Sequence, residues 1–185
     1  ASAMISGLIA EGTSPSQLRA SDPSEAALTR LEAMGLSQLS TSPDKLFEGA
    51  DLVVAAVKPQ VIPAALTAIR DQLGPLTALL SIVAGIPISS LQSQLGEDVA
   101  IIRCMPNTPA MIGLGASALF AADSVSASHR ALAERVTNAA GKTVWVSRED
   151  LLDAVTAVSG SGPAYFFALI EAIARAGTEL GLEEE

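Results

Sequence analysis

The sequence is poor in cysteine, histidine and positive charge. Its 185 residues include a single cysteine, Cys104, and a single histidine, His129. One cysteine excludes an internal disulfide framework, and so few thiol and imidazole groups exclude the usual zinc sites, so we expect no metal. The 11 Lys and Arg residues against 20 Asp and Glu residues give a formal net charge of -9. That sign is wrong for a general nucleic-acid binder, and we expect no nucleic-acid partner.

Long apolar runs are also missing. None reaches the roughly 18 residues of a membrane-spanning helix, because the longest candidates are broken by Gly85 and Pro87 or by Glu171 and Arg175. The N-terminus lacks the basic and apolar regions of a signal peptide. These absences predict a cytoplasmic protein with no membrane partner. The chain starts without methionine, inside a helical pattern, and ends on three glutamates, so we expect a piece of a longer protein.

Helix and strand patterns alternate along most of the chain. Apolar runs at 52–57 and 79–83 are typical of parallel strands that are covered on both faces. Further strands are predicted at 17–20, 99–103, 114–120 and 143–146, and helices at 23–34, from Pro59, at 89–95 and at 126–140. This order predicts an α/β fold, a Rossmann-type doubly wound parallel sheet over residues 1–147 with its first strand missing.

From Glu149 onward the pattern is purely helical. We predict a helix over 148–158, a turn over 159–163 and a long helix over 163–180, so residues 148–185 form the start of an all-helical C-terminal domain. Alanines recur in the long helix at four-residue spacing, beside aromatic and aliphatic residues. A helix so broadly apolar needs partners on more than one side. Either a second subunit or further helices of the same chain would cover it.

Residues that could bind a dinucleotide follow the predicted strands, at the carboxyl edge where open α/β sheets bind ligands. The glycine-rich loop G-x-G-x-x-G/A of such folds is not in the chain. If that loop directly precedes the first residue, Asp22 stands where an acidic residue reaches the adenosine ribose, although it could equally cap the helix that starts at Pro23. Lys58 follows one strand, and the pair Ala84 and Gly85 follows the next. Lys58 would face a phosphate or a nicotinamide, and its alternative is an ordinary surface lysine. Ala84 and Gly85 would let a flat ring come close to the backbone, and their alternative is a simple turn.

The segment at 103–109, RCMPNTP, carries a more specific pattern. Its two prolines hold Asn107 and Thr108 rigid at the end of a strand, which is how a binding loop is preorganised. Residues 159–162 lack the first glycine of G-x-S-x-G and a histidine partner, so we exclude a serine hydrolase. Cys104 has apolar neighbours and is interpreted as a buried structural thiol.

Five segments, in this order, resemble the pyrroline-5-carboxylate reductases, which make L-proline. They are AVKPQ at 56–60, SIVAGI at 81–86, RCMPNTP at 103–109, GLGA at 113–116, and LDAVT at 152–156 followed by SGSGPAY at 159–165. The third and fifth segments are specific, and the resemblance runs along nearly the whole chain. It implies an oxidoreductase that reduces 1-pyrroline-5-carboxylate with NADPH or NADH, in a homodimer or higher homo-oligomer joined through the helical domain.

The resemblance also implies roles for single residues. The dinucleotide would be lined by four consecutive residues, Ala56, Val57, Lys58 and Pro59, with Ala84 and Gly85 near the nicotinamide. The loop of Asn107 and Thr108 would border the substrate. No catalytic acid is obvious, and Glu149 is a candidate for contact with the substrate or the ring nitrogen. Its alternative is a carboxylate favoured at a helix N-terminus.

Departures from the family leave two questions open. Asp22 stands where a small hydroxyl residue often receives the NADP 2'-phosphate, so Asp22 favours NADH, unless Arg19 or Arg30 offsets the charge. Pro23, next to it, is also assigned to the cofactor. Because the glycine loop and the later helical region are absent, we expect this piece alone to be inactive. A related hydroxyacid dehydrogenase and a non-catalytic nucleotide-binding protein remain alternatives. The former would use a lysine on the interdomain helix, and residues 161–181 contain none.

Overall fold

The structure, a computed structural model, describes residues 1–183. Its strands are β1 (Arg19–Ser21), β2 (Gln38–Ser40), β3 (Leu52–Ala55), β4 (Ala78–Ser81), β5 (Ala100–Met105), β6 (Gly115–Ala121) and β7 (Gly141–Trp145). Its helices are α1 (Ser2–Ala10), α2 (Glu25–Glu32), α3 (Ile62–Ile69), α4 (Ile88–Leu95), α5 (Ala127–Asn138), α6 (Leu151–Val155) and α7 (Gly162–Glu179). Strands β3 to β7 form one sheet in chain order, and β1 pairs with β2 in a separate parallel sheet.

Helices cover both faces of the five-stranded sheet. Neighbouring residues of a strand point to opposite faces. Leu80 and Ile102 therefore face α1 and α5, while Leu79 and Ile101 face α3 and α4. All four side chains are at most 2% exposed. This three-layer arrangement confirms the predicted α/β class.

Two strands run against the predicted parallel order. β6 pairs with β5 in antiparallel fashion, with Arg103 opposite Phe120. The connection, residues 106–114, holds a short 3-10 helix, Thr108–Ile112. It is shorter than the dozen or so residues that a crossover between parallel strands requires. β7 pairs with β6 in parallel, so it also runs against β3 to β5. The prediction of a wholly parallel sheet is therefore wrong at β6 and β7, and the absence of a helical pattern before 114–120 was the available signal.

The helical C-terminal segment differs from the prediction at its centre. Residues 159–163 do not form a turn, because a π-helical turn, Thr156–Gly160, carries the helix on from α6 to α7. Ser161 N donates to Thr156 O at 2.8 Å, which closes this wider turn. Pro163 lies in the first turn of α7, where its missing N–H does not interrupt the helix.

Strand β2 was not predicted from the sequence, because its short polar sequence has no strand pattern.

α7 lies outside the core of the sheet. None of its residues is buried, and six of its large apolar side chains, Tyr165, Phe166, Phe167, Leu169, Ile170 and Ile173, are 56% to 71% exposed. The continuous stretch Leu151–Glu179 is long and apolar enough, by length and composition, to cross a membrane. Contrary to the expectation from the sequence, the charged residues Glu171 and Arg175 do not make this stretch polar enough to exclude a membrane-spanning helix by that criterion. Length and composition do not decide between a lipid and a protein partner.

Candidate active site

The carboxyl ends of β3 and β4 bring two of the predicted segments together. Ala55 lies opposite Ser81 in the parallel register, and Ile82 N donates to Ala55 O at 3.0 Å. The turn at 56–58 and the turn at 84–85 therefore leave the sheet at the same edge. Both turns are exposed, and Lys58 directly precedes a 3-10 turn, Pro59–Val61. This edge is where open α/β sheets bind ligands.

Gly85 gives that edge an open backbone. Its φ of +73° lies in the left-handed region that favours glycine, and a Cβ there would meet no heavy atom within 4 Å. The space beside the peptide is therefore free. With the exposed Lys58 ammonium on the neighbouring turn, the residues present fit the phosphates and the ring of a dinucleotide.

Asp22 lies at the end of β1, in the separate sheet. Its Oδ1 accepts a hydrogen bond from Ser24 N at 2.9 Å, and its own N–H donates to Ser40 O at 3.2 Å. The N-cap of α2 is Ser24, whose Oγ accepts from Ala27 N at 3.4 Å. The alternative that Asp22 is itself the N-cap is therefore wrong, and the helix begins after Pro23 and Ser24 rather than at Pro23. No ladder joins β1 to β3, so the structure does not pair Asp22 with the other predicted dinucleotide contacts.

The two arginines expected to offset a 2'-phosphate are placed elsewhere. Arg19 Nη1 donates to Leu46 O at 3.0 Å and to Glu48 O at 2.8 Å, so it fixes β1 against the loop before β3. Arg30 is in the last turn of α2, at the opposite end of that helix from Asp22. Within residues 1–183, Asp22 forms no ion pair.

Asn107 holds two elements together. Its Oδ1 accepts from Ala116 N at 2.9 Å, at the start of β6, and its Nδ2 donates to Ser159 Oγ at 3.1 Å, in the π-helical turn. A Cβ at Gly160 would lie 2.7 Å from Met105 Cε, so the same turn packs closely against the end of β5. The side chain of Asn107 is thus used to position the loop, and Thr108 beside it is exposed.

Glu149 is bonded inside the protein. Its Oε1 accepts from Arg103 Nη1 at 2.9 Å and from Ile88 N at 2.7 Å. The side chain of Arg103 is 8% exposed and that of Glu149 is 28% exposed. The carboxylate does lie at a helix N-terminus, as the alternative from the sequence held, but the helix is α4 and not the one that Glu149 precedes.

Cys104 is a structural thiol, as expected. It is buried under α1 and α5. Burial raises the pKa of this thiol to about 12, against a smaller lowering by a hydrogen bond with Ser117. The thiolate needed for nucleophilic attack is therefore scarce at neutral pH.

Two residues that matter for the architecture of this site were missed from the sequence. Arg103 was quoted only as part of a motif, although a charged residue in an otherwise apolar strand requires a buried counter-charge. Ser159 was considered only as part of a predicted turn, in the place of the first glycine of G-x-S-x-G. Its bond to Asn107 joins segments that are 52 positions apart in the chain, and nothing in the local pattern indicates that pairing.

Family models match two parts of the chain. Residues 149–185 match a model described as pyrroline-5-carboxylate reductase dimerisation. Residues 1–85 match a model described as NADP oxidoreductase, coenzyme F420-dependent. The first match includes Glu149 and α7, and the second includes both exposed turns and Asp22.

Similar proteins match along the whole chain. A pyrroline-5-carboxylate reductase of Pseudomonas aeruginosa is 43% identical over 185 residues, which are 100% of this chain and 68% of that protein. The structure of a pyrroline-5-carboxylate reductase from Coxiella burnetii superposes with a TM-score of 0.89 at 34% identity, over 98% of this chain and 68% of that one. A pyrroline carboxylate reductase of Plasmodium falciparum, solved with NADP bound, gives a TM-score of 0.86 at 29% identity, over 98% and 66%.

Proposed function

This chain belongs to the pyrroline-5-carboxylate reductase family, and from that premise we propose that the protein reduces the carbon–nitrogen double bond of 1-pyrroline-5-carboxylate to give L-proline. The observation that carries the proposal is the match to reductases of this name along the whole chain. A reduced nicotinamide dinucleotide is the co-substrate. The reaction is the last step of proline biosynthesis.

The dinucleotide, when bound, supplies the hydride. The chain's own part is to hold the ring and the imine in contact and to exclude water. We assign Ala56, Val57, Lys58 and Pro59 to the dinucleotide, together with Ala84 and Gly85. The loop of Asn107 and Thr108 is assigned to the border of the substrate.

The imine accepts hydride best when its nitrogen is protonated. The hydride then adds to the ring carbon, and the former π electron pair becomes the lone pair of the amine nitrogen. Among residues 1–183 we assign no donor for the proton on the imine nitrogen. Glu149, the candidate from the sequence, already accepts hydrogen bonds from Arg103 and Ile88, which leaves it poorly placed to donate a proton to the substrate.

We propose NADH as the preferred form of the dinucleotide. A carboxylate can accept hydrogen bonds from a ribose diol, whereas it repels a 2'-phosphate. Asp22, beside Pro23, forms no ion pair within residues 1–183, and Arg19 is bonded to backbone carbonyls. Nothing described beside Asp22 therefore offsets its charge toward a phosphate.

The assembly follows from the exposed α7. We propose a cytoplasmic homodimer or higher homo-oligomer in which residues 148–185 start the helical, subunit-joining domain and residues 1–147 bind the dinucleotide. The match of 149–185 to a dimerisation model supports a protein partner for α7 rather than a membrane. The apolar side chains that one chain leaves exposed would then be covered by another.

The test is a steady-state assay of the full-length product of the gene that encodes this sequence. Oxidation of NADH or NADPH that depends on 1-pyrroline-5-carboxylate, with L-proline as the product, is the expected result. Turnover of a hydroxyacid with no activity toward the pyrroline would instead indicate the related dehydrogenase. Dinucleotide binding without turnover of either substrate would indicate a non-catalytic protein.

A further inference from the structure

Glu149 joins three parts of the molecule through one oxygen atom. Oε1 accepts hydrogen bonds from Arg103 Nη1 on β5 and from Ile88 N at the start of α4. Glu149 itself is the first residue of the region that matches the dimerisation model. We propose that Glu149 is a positioning residue that couples this helical segment to the loop that receives the nicotinamide end of the dinucleotide.

The link to the nicotinamide loop is short. β4 ends at Ser81, the exposed turn of Ala84 and Gly85 follows, and Pro87 is the N-cap of α4. Pro87 donates no hydrogen bond, and no side chain of α4 or its N-cap caps the free amides of its first turn. Glu149 supplies the acceptor for the Ile88 amide, at the positive end of the helix dipole. The carboxylate therefore fixes where the loop of Ala84 and Gly85 ends.

The link to the substrate loop passes through Arg103. This residue is two positions before Met105, the end of β5, after which the chain enters the loop of Asn107. A guanidinium that is 8% exposed needs a charged partner, and the carboxylate of Glu149 is its only ion-pair partner within residues 1–183. Arg103 and Ile88 are thus held at one point between the two loops assigned to the reactants.

A second contact fixes the other end of the junction. Asn107 donates to Ser159 Oγ, and Gly160 packs against Met105. Glu149 and Ser159 lie on either side of α6, so the helical segment meets the sheet domain at two separate points. Two contacts restrict the segment to rotation about one axis, whereas one contact would leave it free to pivot, so the junction is suited to transmit the position of α7 to the nicotinamide loop.

The proposal rests on the reductase function proposed above, and its test separates the two. In the full-length protein, Glu149→Ala removes both hydrogen bonds, while Glu149→Gln keeps a neutral acceptor for Ile88 N. Asp150→Asn is the matched control, because the neighbouring carboxylate forms an exposed ion pair with Arg148 instead. Three measurements are made on each variant: KM and kcat with the dinucleotide, Kd for the dinucleotide alone, and hydrogen–deuterium exchange of the amides at 84–91.

We expect Glu149→Ala to raise KM and Kd for the dinucleotide about tenfold, the loss of roughly one hydrogen bond to a charged group. Hydrogen–deuterium exchange of the amides at 85–88 should become faster while that of β4 stays slow. For each quantity, Glu149→Gln should give a value between those of Glu149→Ala and the wild type. A uniform rise in exchange across the sheet would mean a general loss of stability and would overturn the proposal. A KM within twofold of the wild type would also overturn the proposal. A lower kcat at unchanged KM would overturn it too, because that result would place the carboxylate at the reacting atoms.

If the wild type lacks pyrroline-dependent activity, the proposed function fails. Kd and hydrogen exchange still test the coupling in that case. Faster exchange at 85–88 in Glu149→Ala, with weaker dinucleotide binding, supports it without any turnover. Unchanged exchange and unchanged Kd contradict it.

Discussion

The sheet and α7 are similarly apolar, yet they bury their apolar side chains differently. Leu79 and Leu80 in β4 are 0% exposed, because helices of the same chain cover both faces. In α7, Phe166 is 68% exposed, and the helix buries none of its side chains. An apolar pattern therefore predicts that a surface will be covered, but not whether the covering element belongs to the same chain or to another. In this protein helices of the same chain cover the sheet, whereas residues 1–183 leave α7 exposed.

The largest expected effect is in the sheet. Leu80→Ala removes a fully buried side chain next to Ile102 and should lower the free energy of unfolding by about 3 kcal/mol at every protein concentration. Denaturant unfolding of the full-length protein measures it. Leu76→Ala is the control, because Leu76 is 80% exposed, and it should stay within about 0.5 kcal/mol of the wild type. Equal losses in the two variants would contradict the described core.

A change in α7 should act on assembly instead. Ile173→Glu places a charge on the apolar side of α7, where Ile173 is 63% exposed in one chain. We expect the dissociation constant of the oligomer to rise about thirtyfold, through the burial of an unpaired carboxylate. Light scattering over a range of concentrations measures the mass of the full-length protein. Thr178→Glu, on the polar side of the same helix, should leave the mass unchanged. A monomeric wild type would refute the interface, and a mutant with unchanged mass would show that the apolar side of α7 packs within one chain.

A change in the sheet domain should alter the preference for NADH or NADPH without any change in assembly. Asp22→Ser removes the negative charge at the end of β1 and should shift the ratio of kcat/KM for NADPH over NADH upward, by roughly tenfold. The mass should remain that of the wild type. If the ratio does not move, Asp22 serves only the turn in which it accepts a hydrogen bond from Ser24 N.

The smallest effect is the pH dependence of the buried thiol. The pKa of Cys104 is raised to about 12 in the folded protein, so the unfolded chain loses this proton at a lower pH than the folded one. The free energy of unfolding should fall as the pH rises above the ordinary thiol pKa, by roughly 1 kcal/mol at pH 9.5, relative to Cys104→Ala at the same pH. Parallel curves for the two proteins between pH 8 and pH 11 would contradict the burial of Cys104.

The sequence was informative where a pattern is local. Apolar runs located β3 and β4, and helical spacing located α3 and α5. The reversed direction of β6 and β7 was missed because strand direction depends on the length of the connection rather than on the strand itself. The π-helical turn was missed because its glycines and serines, read alone, are typical of a turn.

The site could be predicted in part for the same reason. The turns at 56–58 and 84–85 lie at one edge because they follow adjacent parallel strands, which the order of elements already indicates. The partners of Glu149 could not be predicted, because Ile88 and Arg103 are 61 and 46 positions away and are brought together by packing. Which groups donate hydrogen bonds to a carboxylate is a property of the whole fold.

The most direct test of the proposed function follows the hydride itself. The full-length protein is incubated with 1-pyrroline-5-carboxylate and a reduced nicotinamide dinucleotide in which both hydrogens of the reactive ring carbon are deuterium, and the proline is analysed by mass spectrometry and NMR. The proposed function predicts L-proline with one deuterium on the carbon that was double-bonded to nitrogen. Proline without deuterium, or oxidation of the dinucleotide with no proline formed, would contradict it.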